Sequence, residues 1–395
     1  LQVSLEASET KEIEMLSSFV GHAATLGSYP LAFLFVLTLI VFVHEFGHFI
    51  VARWNGVKVQ SFSIGFGREL LGYTDRHGTR WKIGWLPLGG YVKFEGDANA
   101  ASMPKASSLS PATRGPGNFF GKSVAQRAAV VAAGPIANFI LAIAIFAVSF
   151  MLVGVPTTEP RVETVQAGSP AEKVGIKSGD VILRINGSTI SSFDDIQRIV
   201  MPRAGETLVV EVDRAGELHL FQLVPEAREI TDGFGGKIKI GLMGVSRERA
   251  ASPTYDRKNP IEALRLGVAE TWHIIGGSMH FIKRLVTGRE NANQLGGPLA
   301  IAQISGKAAQ LGFYELMRIA AMLSVSIGLI NLFPVPMLDG GHLLYYAVEA
   351  VRGKPLGPNA QEWGFRVGFA LVLALMFFAT WNDLARVFSS IFERG

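Results

Sequence analysis

The apolar residues of this 395-residue chain are bunched into a few long runs, and that distribution excludes a single soluble domain. Four runs are long enough to cross a bilayer as helices: residues 29–51, 124–153, 315–333 and 363–381. In the middle of the first stands His44-Glu45-Phe46-Gly47-His48. One helical turn separates the two histidines, so both imidazoles face the same side and can share a divalent metal, while Glu45 beside them can handle a water proton. A glutamate near the centre of a spanning helix costs on the order of 2 kcal/mol or more, so its presence there points to chemistry and not to packing.

The chain has no cysteine, so every metal ligand must come from His, Asp or Glu. Its formal charge of +4 reflects a bias in one loop, where Lys58, Arg68, Arg80, Lys93, Arg114 and Lys122 are among ten basic residues between the first two runs. The positive-inside rule makes that loop cytoplasmic, the long insert after residue 153 extracytoplasmic, and the loop with Arg352 and Lys354 cytoplasmic again. The basic residues are dispersed without stacking aromatics, which excludes a nucleic-acid surface. Gly121-Lys122-Ser123 resembles the end of a phosphate loop, but Pro116 stands where the required glycine would be, so nucleotide binding is excluded too. Residues 1–28 form a leader whose first part is polar and acidic. The apolar run that follows is too long for a cleaved signal and is read as a retained span.

Between the leader and residue 153 the expectation is a first transmembrane half. Alternation over 57–66 and 80–85, with Thr74-Asp75-Arg76-His77-Gly78 as a turn, predicts a membrane-associated β-hairpin whose Gly65 and Gly67 let another backbone approach closely. Residues 98–118, rich in Ser, Pro, Ala and Gly, read as a linker. Gly134-Pro135 and Asn138 in the second run suit close helix packing or orientation of the metal site. Residues 154–228 read as an inserted α+β domain. Ser169-Pro170 opens a short helix, Val181 to Ile185 forms a strand closed by Asn186-Gly187, Phe193 to Val200 forms an amphipathic helix, and strands follow at 208–212 and 218–224. Residues 229–314 form an extracytoplasmic, membrane-proximal segment in which a helix over 261–285, with Trp272, His273 and His280, skims a surface. Residues 315–395 form the second transmembrane half.

A catalytic zinc needs three protein ligands and an open position. The third candidate lies in Asn331-Leu332-Phe333-Pro334-Val335-Pro336-Met337-Leu338-Asp339-Gly340-Gly341, where two prolines prevent a regular helix and turn the chain so that Asp339 can face inward. Asn331 offers a hydrogen bond to a substrate backbone. His342 follows three residues later, and the need for an open coordination position argues against it as a ligand.

HEFGH in the first run, Gly134-Pro135 with Asn138 in the second, the insert, and Asn331 to Gly340 together resemble the site-2 protease family, the bacterial RseP-type intramembrane zinc metalloproteases, over nearly everything after Met15. The insert resembles a PDZ module, which binds an extended peptide at a sheet edge or acts sterically. The resemblance implies a polytopic α-helical membrane protein of about four transmembrane helices with an inserted PDZ-like domain. It implies Zn²⁺ held by His44, His48 and Asp339, with Glu45 as catalytic base and acid. Asn331 would hold substrate, and Gly65 and Gly67 fall within the family's membrane-reentrant β-structure beside it. The implied setting is the bacterial inner membrane, in contact with lipid, with the PDZ-like domain outside. The implied task is regulated intramembrane proteolysis of single-span proteins such as anti-sigma factors or signal peptide remnants. Many such proteins carry two tandem PDZ modules; only one is legible here. A catalytically silent membrane adaptor and a zinc transporter are the competing classes.

Overall fold

The computed structural model describes residues 29–97, 115–157, 159–231, 237–247, 254–290 and 292–392. The leader and most of the expected linker lie outside these residues. In chain order the elements are α1 (Tyr29–Trp54), β1 (Val59–Thr74), β2 (Arg80–Phe94), α2 (Val124–Leu152), β3 (Val155–Thr157), β4 (Thr164–Val165), α3 (Pro170–Val174), β5 (Val181–Ile185) and β6 (Ser188–Thr189). There follow α4 (Phe193–Val200), β7 (Leu208–Arg214), β8 (Glu217–Leu223), β9 (Glu226–Thr231), β10 (Lys237–Leu242), β11 (Val245–Ser246) and β12 (Thr254–Asp256). The chain closes with α5 (Pro260–Val286), α6 (Pro298–Leu311), α7 (Phe313–Asn331), α8 (Asp339–Arg352) and α9 (Pro358–Phe392).

Among the described residues four helices are long and apolar enough to cross a membrane: α1, α2, α7 and most of α9. Their starts follow local chemistry. Ser123 and Gln126 exchange side-chain and backbone hydrogen bonds as a capping box that opens α2. The third run was expected to reach residue 333, but α7 ends at Asn331, because a residue ahead of Pro334 is pushed out of the helical region. The last helix runs well past both ends of its expected core.

One compact unit contains residues up to Phe146 together with Gly267–Ile275 and Gly296–Thr380. In it Ala32, Val36 and Ile40 of α1 pack with Ala308 of α6 and Leu316 and Ala320 of α7. The far half of α1 packs through Phe49 and Ala52 on Phe62, Val92 and Phe94 of the hairpin and on Val130 and Val131 of α2. An aromatic cluster of Phe49, Phe62 and Trp81, with centroids 4.5–5.7 Å apart, fixes the hairpin to that end of the helix. The strands are longer than alternation alone suggested, because Gly65 and Gly67 adopt φ of +82° and +84° and let β1 bend and continue. Residues 61–64 then have Cα partners on both arms of β2: Ser63 faces Tyr91 and Lys82, and Ile64 faces Gly90 and Ile83.

The other unit comprises Ala147–Leu266, Gly276–Leu295 and Trp381–Gly395. It carries a four-stranded sheet in the order β6-β5-β7-β8. Asn186 and Gly187, both at positive φ, make the tight turn between β5 and β6. Ser192 and Asp195 form a capping box on α4, whose Phe193, Ile196 and Val200 bury against Ile182, Ile185, Val210 and Val212. The same core takes in Met243, and β11 pairs with β4 through Val245 and Val165, so the packing of the insert continues beyond residue 228. α5 is capped by Asn259; in this unit its His280 and Arg284 pair with Glu206, while Trp272 and His273, which belong to the first unit, are exposed.

Candidate metal centre

Three side chains from two helices converge on one point. His44 and His48 stand one turn apart on α1, and Asp339 is the first residue of α8. Asp339 Oδ2 lies 3.2 Å from His44 Nε2 and 3.6 Å from His48 Nε2, and the two Nε2 atoms are 3.2 Å apart. The ligand atoms of the three residues lie within 4.8 Å of one another, and among the described residues no other trio of His, Asp or Glu does so. Asp339 Oδ2 is buried with no hydrogen-bond donor of its own. Two imidazole nitrogens and an unpaired carboxylate oxygen aimed at one point are the donor set a catalytic zinc takes, so these residues fit the ion.

The outer nitrogens are engaged by α2. His48 Nδ1–H donates to the Val130 carbonyl at 2.9 Å, which leaves Nε2 its lone pair for a metal. Asn138, fully buried, brings its side-chain amide to 3.2 Å from His44 Nδ1 and leaves Oδ1 unpartnered. With the amide turned over, Oδ1 accepts the His44 Nδ1–H and Nε2 is again the free nitrogen. Ser324 of α7 donates to the Asn138 backbone carbonyl at 2.8 Å and holds that stretch of α2 in place.

Glycines permit the close approach. A Cβ on Gly134 would fall on the His48 ring and within 2.9 Å of His44 Cε1. One on Gly47, inside the histidine motif, would lie 2.7 Å from Ala137 Cβ. Gly340 and Gly341 press the first turn of α8 under the carbonyls of Leu332, Phe333 and Val335, which aims Asp339 inward. Gly364 and Gly368 let α9 rest on Tyr345 and Pro336. Between the prolines and Asp339, Met337 sits at φ +97°, a strained conformation for a residue with a side chain.

A cavity of about 220 Å³ contains the site; Glu45, Asn331, Met337 and His342 line it together with the three converging residues. Residues 90–92 of β2 form another wall, and Gly90 is needed there because a Cβ would lie 3.2 Å from Glu45 Cγ and 2.9 Å from Val41 Cγ1. His44, Glu45, His48, Asp339 and Asn331 are thus brought together in one cavity. Gly65 and Gly67 are not: a Cβ on Gly65 would meet the Leu86 carbonyl and one on Gly67 the Trp85 indole, so both serve the bend of β1. His342 lines the cavity outside the ligand group. The sequence reading missed Gly47 and Gly90; the glycine inside the histidine motif and the Gly89-Gly90 pair just beyond the 80–85 alternation were the available signals.

Residues 32–375 match peptidase family M50. A protein of Rhizobium meliloti named as a zinc metalloprotease is 49% identical over 360 residues, covering 90% of this chain and 96% of that one. The Metalloprotease MmpA of Caulobacter vibrioides is 40% identical over 377 residues, covering 89% of this chain and 94% of that one. Among solved structures, the PDZ domain of an SdrC-like protein from Listeria monocytogenes is 20% identical, with a TM-score of 0.19 over 24% of this chain and 92% of that one. The chain belongs to peptidase family M50, the site-2 proteases, and is a zinc metalloprotease.

Proposed function

We propose that this metalloprotease cuts the transmembrane segments of single-span proteins within the bilayer. One observation carries the reading: the two histidines and Glu45 lie deep in α1, a helix long and apolar enough to span, and still share a cavity with Asp339. In this reading His44, His48 and Asp339 hold the ion, with Val130 and Asn138 fixing the two imidazoles. Zinc, when bound, supplies Lewis-acid activation of water and of the substrate carbonyl. Glu45 takes the proton from water and returns it to the departing amine, a role worth roughly 10²–10⁴-fold in rate. The Asn331 amide pairs with the substrate backbone.

A helical substrate hides each peptide bond in its own hydrogen bonds and must be drawn out first. Residues 90–94 of β2 support a means. They pair with residues 59–64 of β1, no other strand pairs with them among the described residues, and they run along the cavity beside Glu45. An unwound substrate segment adds to this edge as a further strand. Gly65 and Gly67 contribute by shaping the bend that presents it. Spans containing Gly, Pro, Asn or Ser are then cut more readily than poly-leucine-like ones.

In this reading the protein is a multi-pass protein of the bacterial inner membrane. Its hairpin loop faces the cytoplasm, and its PDZ-like insert lies outside, where it excludes substrates with bulky outer domains. Trimmed anti-sigma factors and signal peptide remnants, the targets of regulated intramembrane proteolysis, meet that requirement. The test is reconstitution into vesicles with single-span model peptides. Cleavage by the wild type, lost with a chelator and in Glu45→Gln while binding persists, supports the reading; cleavage confined to soluble peptides overturns it.

A further inference from the structure

Asp339, His342 and Tyr346 fall on one face of α8, at spacings of three and four residues, and all three line the site cavity. His342 is the group there without a task. The cluster of ligand atoms does not include it, and its side chain has no hydrogen-bond or ion-pair partner among the described residues. Its neighbours are committed. Glu45 and Asp339 are acceptors, His44 and His48 turn their Nδ1 atoms toward Asn138 and Val130, and the Tyr346 ring is covered by the Arg127 guanidinium at 4.8 Å. An imidazole N–H left uncommitted in a small cavity is a donor for something that arrives there.

We propose that His342 is a catalytic residue that donates its imidazole N–H to the scissile carbonyl oxygen as negative charge develops on it. This rests on the reading that the cavity is where the peptide bond is cut. The balance is that of hydrolysis. The water oxygen bonds to the carbonyl carbon, its proton passes by way of Glu45 to the leaving nitrogen, and the C–N bond breaks. His342 keeps its proton throughout and contributes only the hydrogen bond, which strengthens as the oxygen becomes an oxyanion.

The experiment uses the full-length protein with His342→Leu, which removes the donor, and His342→Gln, which keeps an N–H. Zinc content, kcat and KM on a single-span peptide, and affinity for a phosphinate peptide that mimics the tetrahedral state are measured. His342→Leu should keep its zinc, lose about 10²–10³-fold in kcat with little change in KM, and lose phosphinate affinity by a similar factor. His342→Gln should recover part of both. Loss of zinc in folded His342→Leu assigns a ligand instead, and unchanged kcat, or a parallel loss of substrate and phosphinate affinity, also overturns the proposal. Should His342→Leu not fold, the kcat and phosphinate affinity of His342→Gln decide, and wild-type values in both overturn it. A wild type that binds no phosphinate and cuts nothing overturns the underlying reading, a result separable from any effect of the variants.

Discussion

Replacing Gly134 by alanine separates helix stability from metal geometry. Alanine in a helix interior is better than glycine by about 1 kcal/mol, so the variant should fold at least as well as the parent on backbone grounds. The added Cβ, however, would stand 2.5 Å from His48 Cε1 and 2.9 Å from His44 Cε1, where ordinary contact begins at 3.4 Å. The His48 ring, whose Nε2 lies nearer still, must therefore retreat by at least 0.9 Å (3.4 less 2.5) and the His44 ring by 0.5 Å (3.4 less 2.9), unless the helices separate. Zinc–ligand distances tolerate only about 0.2 Å, so both displacements exceed what the ion accepts. We expect Gly134→Ala to weaken zinc affinity about 10–100-fold, the range seen when the support of a ligating histidine is removed, and to lower turnover accordingly. Chelator competition gives the affinity and thermal denaturation the stability. Gly276→Ala on α5, where an added Cβ meets nothing within 4 Å, is the control and should leave zinc binding unchanged. A Gly134→Ala protein with parental zinc affinity and activity would refute the steric argument.

Three further outcomes follow from the same geometry. Asn138→Leu removes the polar partner of His44 Nδ1 and should cost about 10–100-fold in zinc affinity by chelator competition, with His48 still held by Val130. Met337→Gly relieves a φ of +97° and should raise stability by up to about 1 kcal/mol in chemical denaturation; a loss of that size would contradict the strain. Burial pushes the Asp75 carboxyl up, but hydrogen bonds from Trp81, Thr79 and His77 and the Arg53 charge outweigh it and bring its pKa from 3.8 down to about 2. Because the folded value is depressed, the stabilisation is complete above pH 3.8 and disappears as pH falls toward about 2. Asp75→Asn should cost up to about 2 kcal/mol at neutral pH, with the gap from the parent closing below about pH 4 in pH-dependent denaturation.

What could be read from the chain divides by range. The long apolar helices, the histidine pair one turn apart and the helices capped by Ser192 and Asn259 are local patterns, and each is present about where its pattern lies, although the ends of α7 and α9 differ. Asp339 was legible because Pro334 and Pro336 forbid a helix just ahead of it. The supports of the site were not. His48 meets Val130 across 82 residues and His44 meets Asn138 across 94, and no periodicity records which face of α2 turns toward α1. Gly134 and Asn138 suggested packing or orientation of the metal site, and only their positions against the imidazoles separate the two roles. The hairpin was underestimated because alternation is lost where Gly65 and Gly67 bend β1, although Phe66 still pairs with Leu86 and the pairing runs on from Glu69 to Thr74. The reach of the insert core to Val245 depends on its pairing with β4, eighty residues earlier in the chain, which leaves no local mark.

The central claim is that one zinc is gripped jointly by α1 and by the first residue of α8. X-ray absorption at the zinc edge of the purified protein, beside Asp339→Ala, tests it most directly. We predict two imidazole nitrogens and one carboxylate oxygen at about 2.0–2.2 Å in the wild type, with that oxygen shell or the ion itself lost from the variant. An identical zinc spectrum and content in Asp339→Ala would contradict the account.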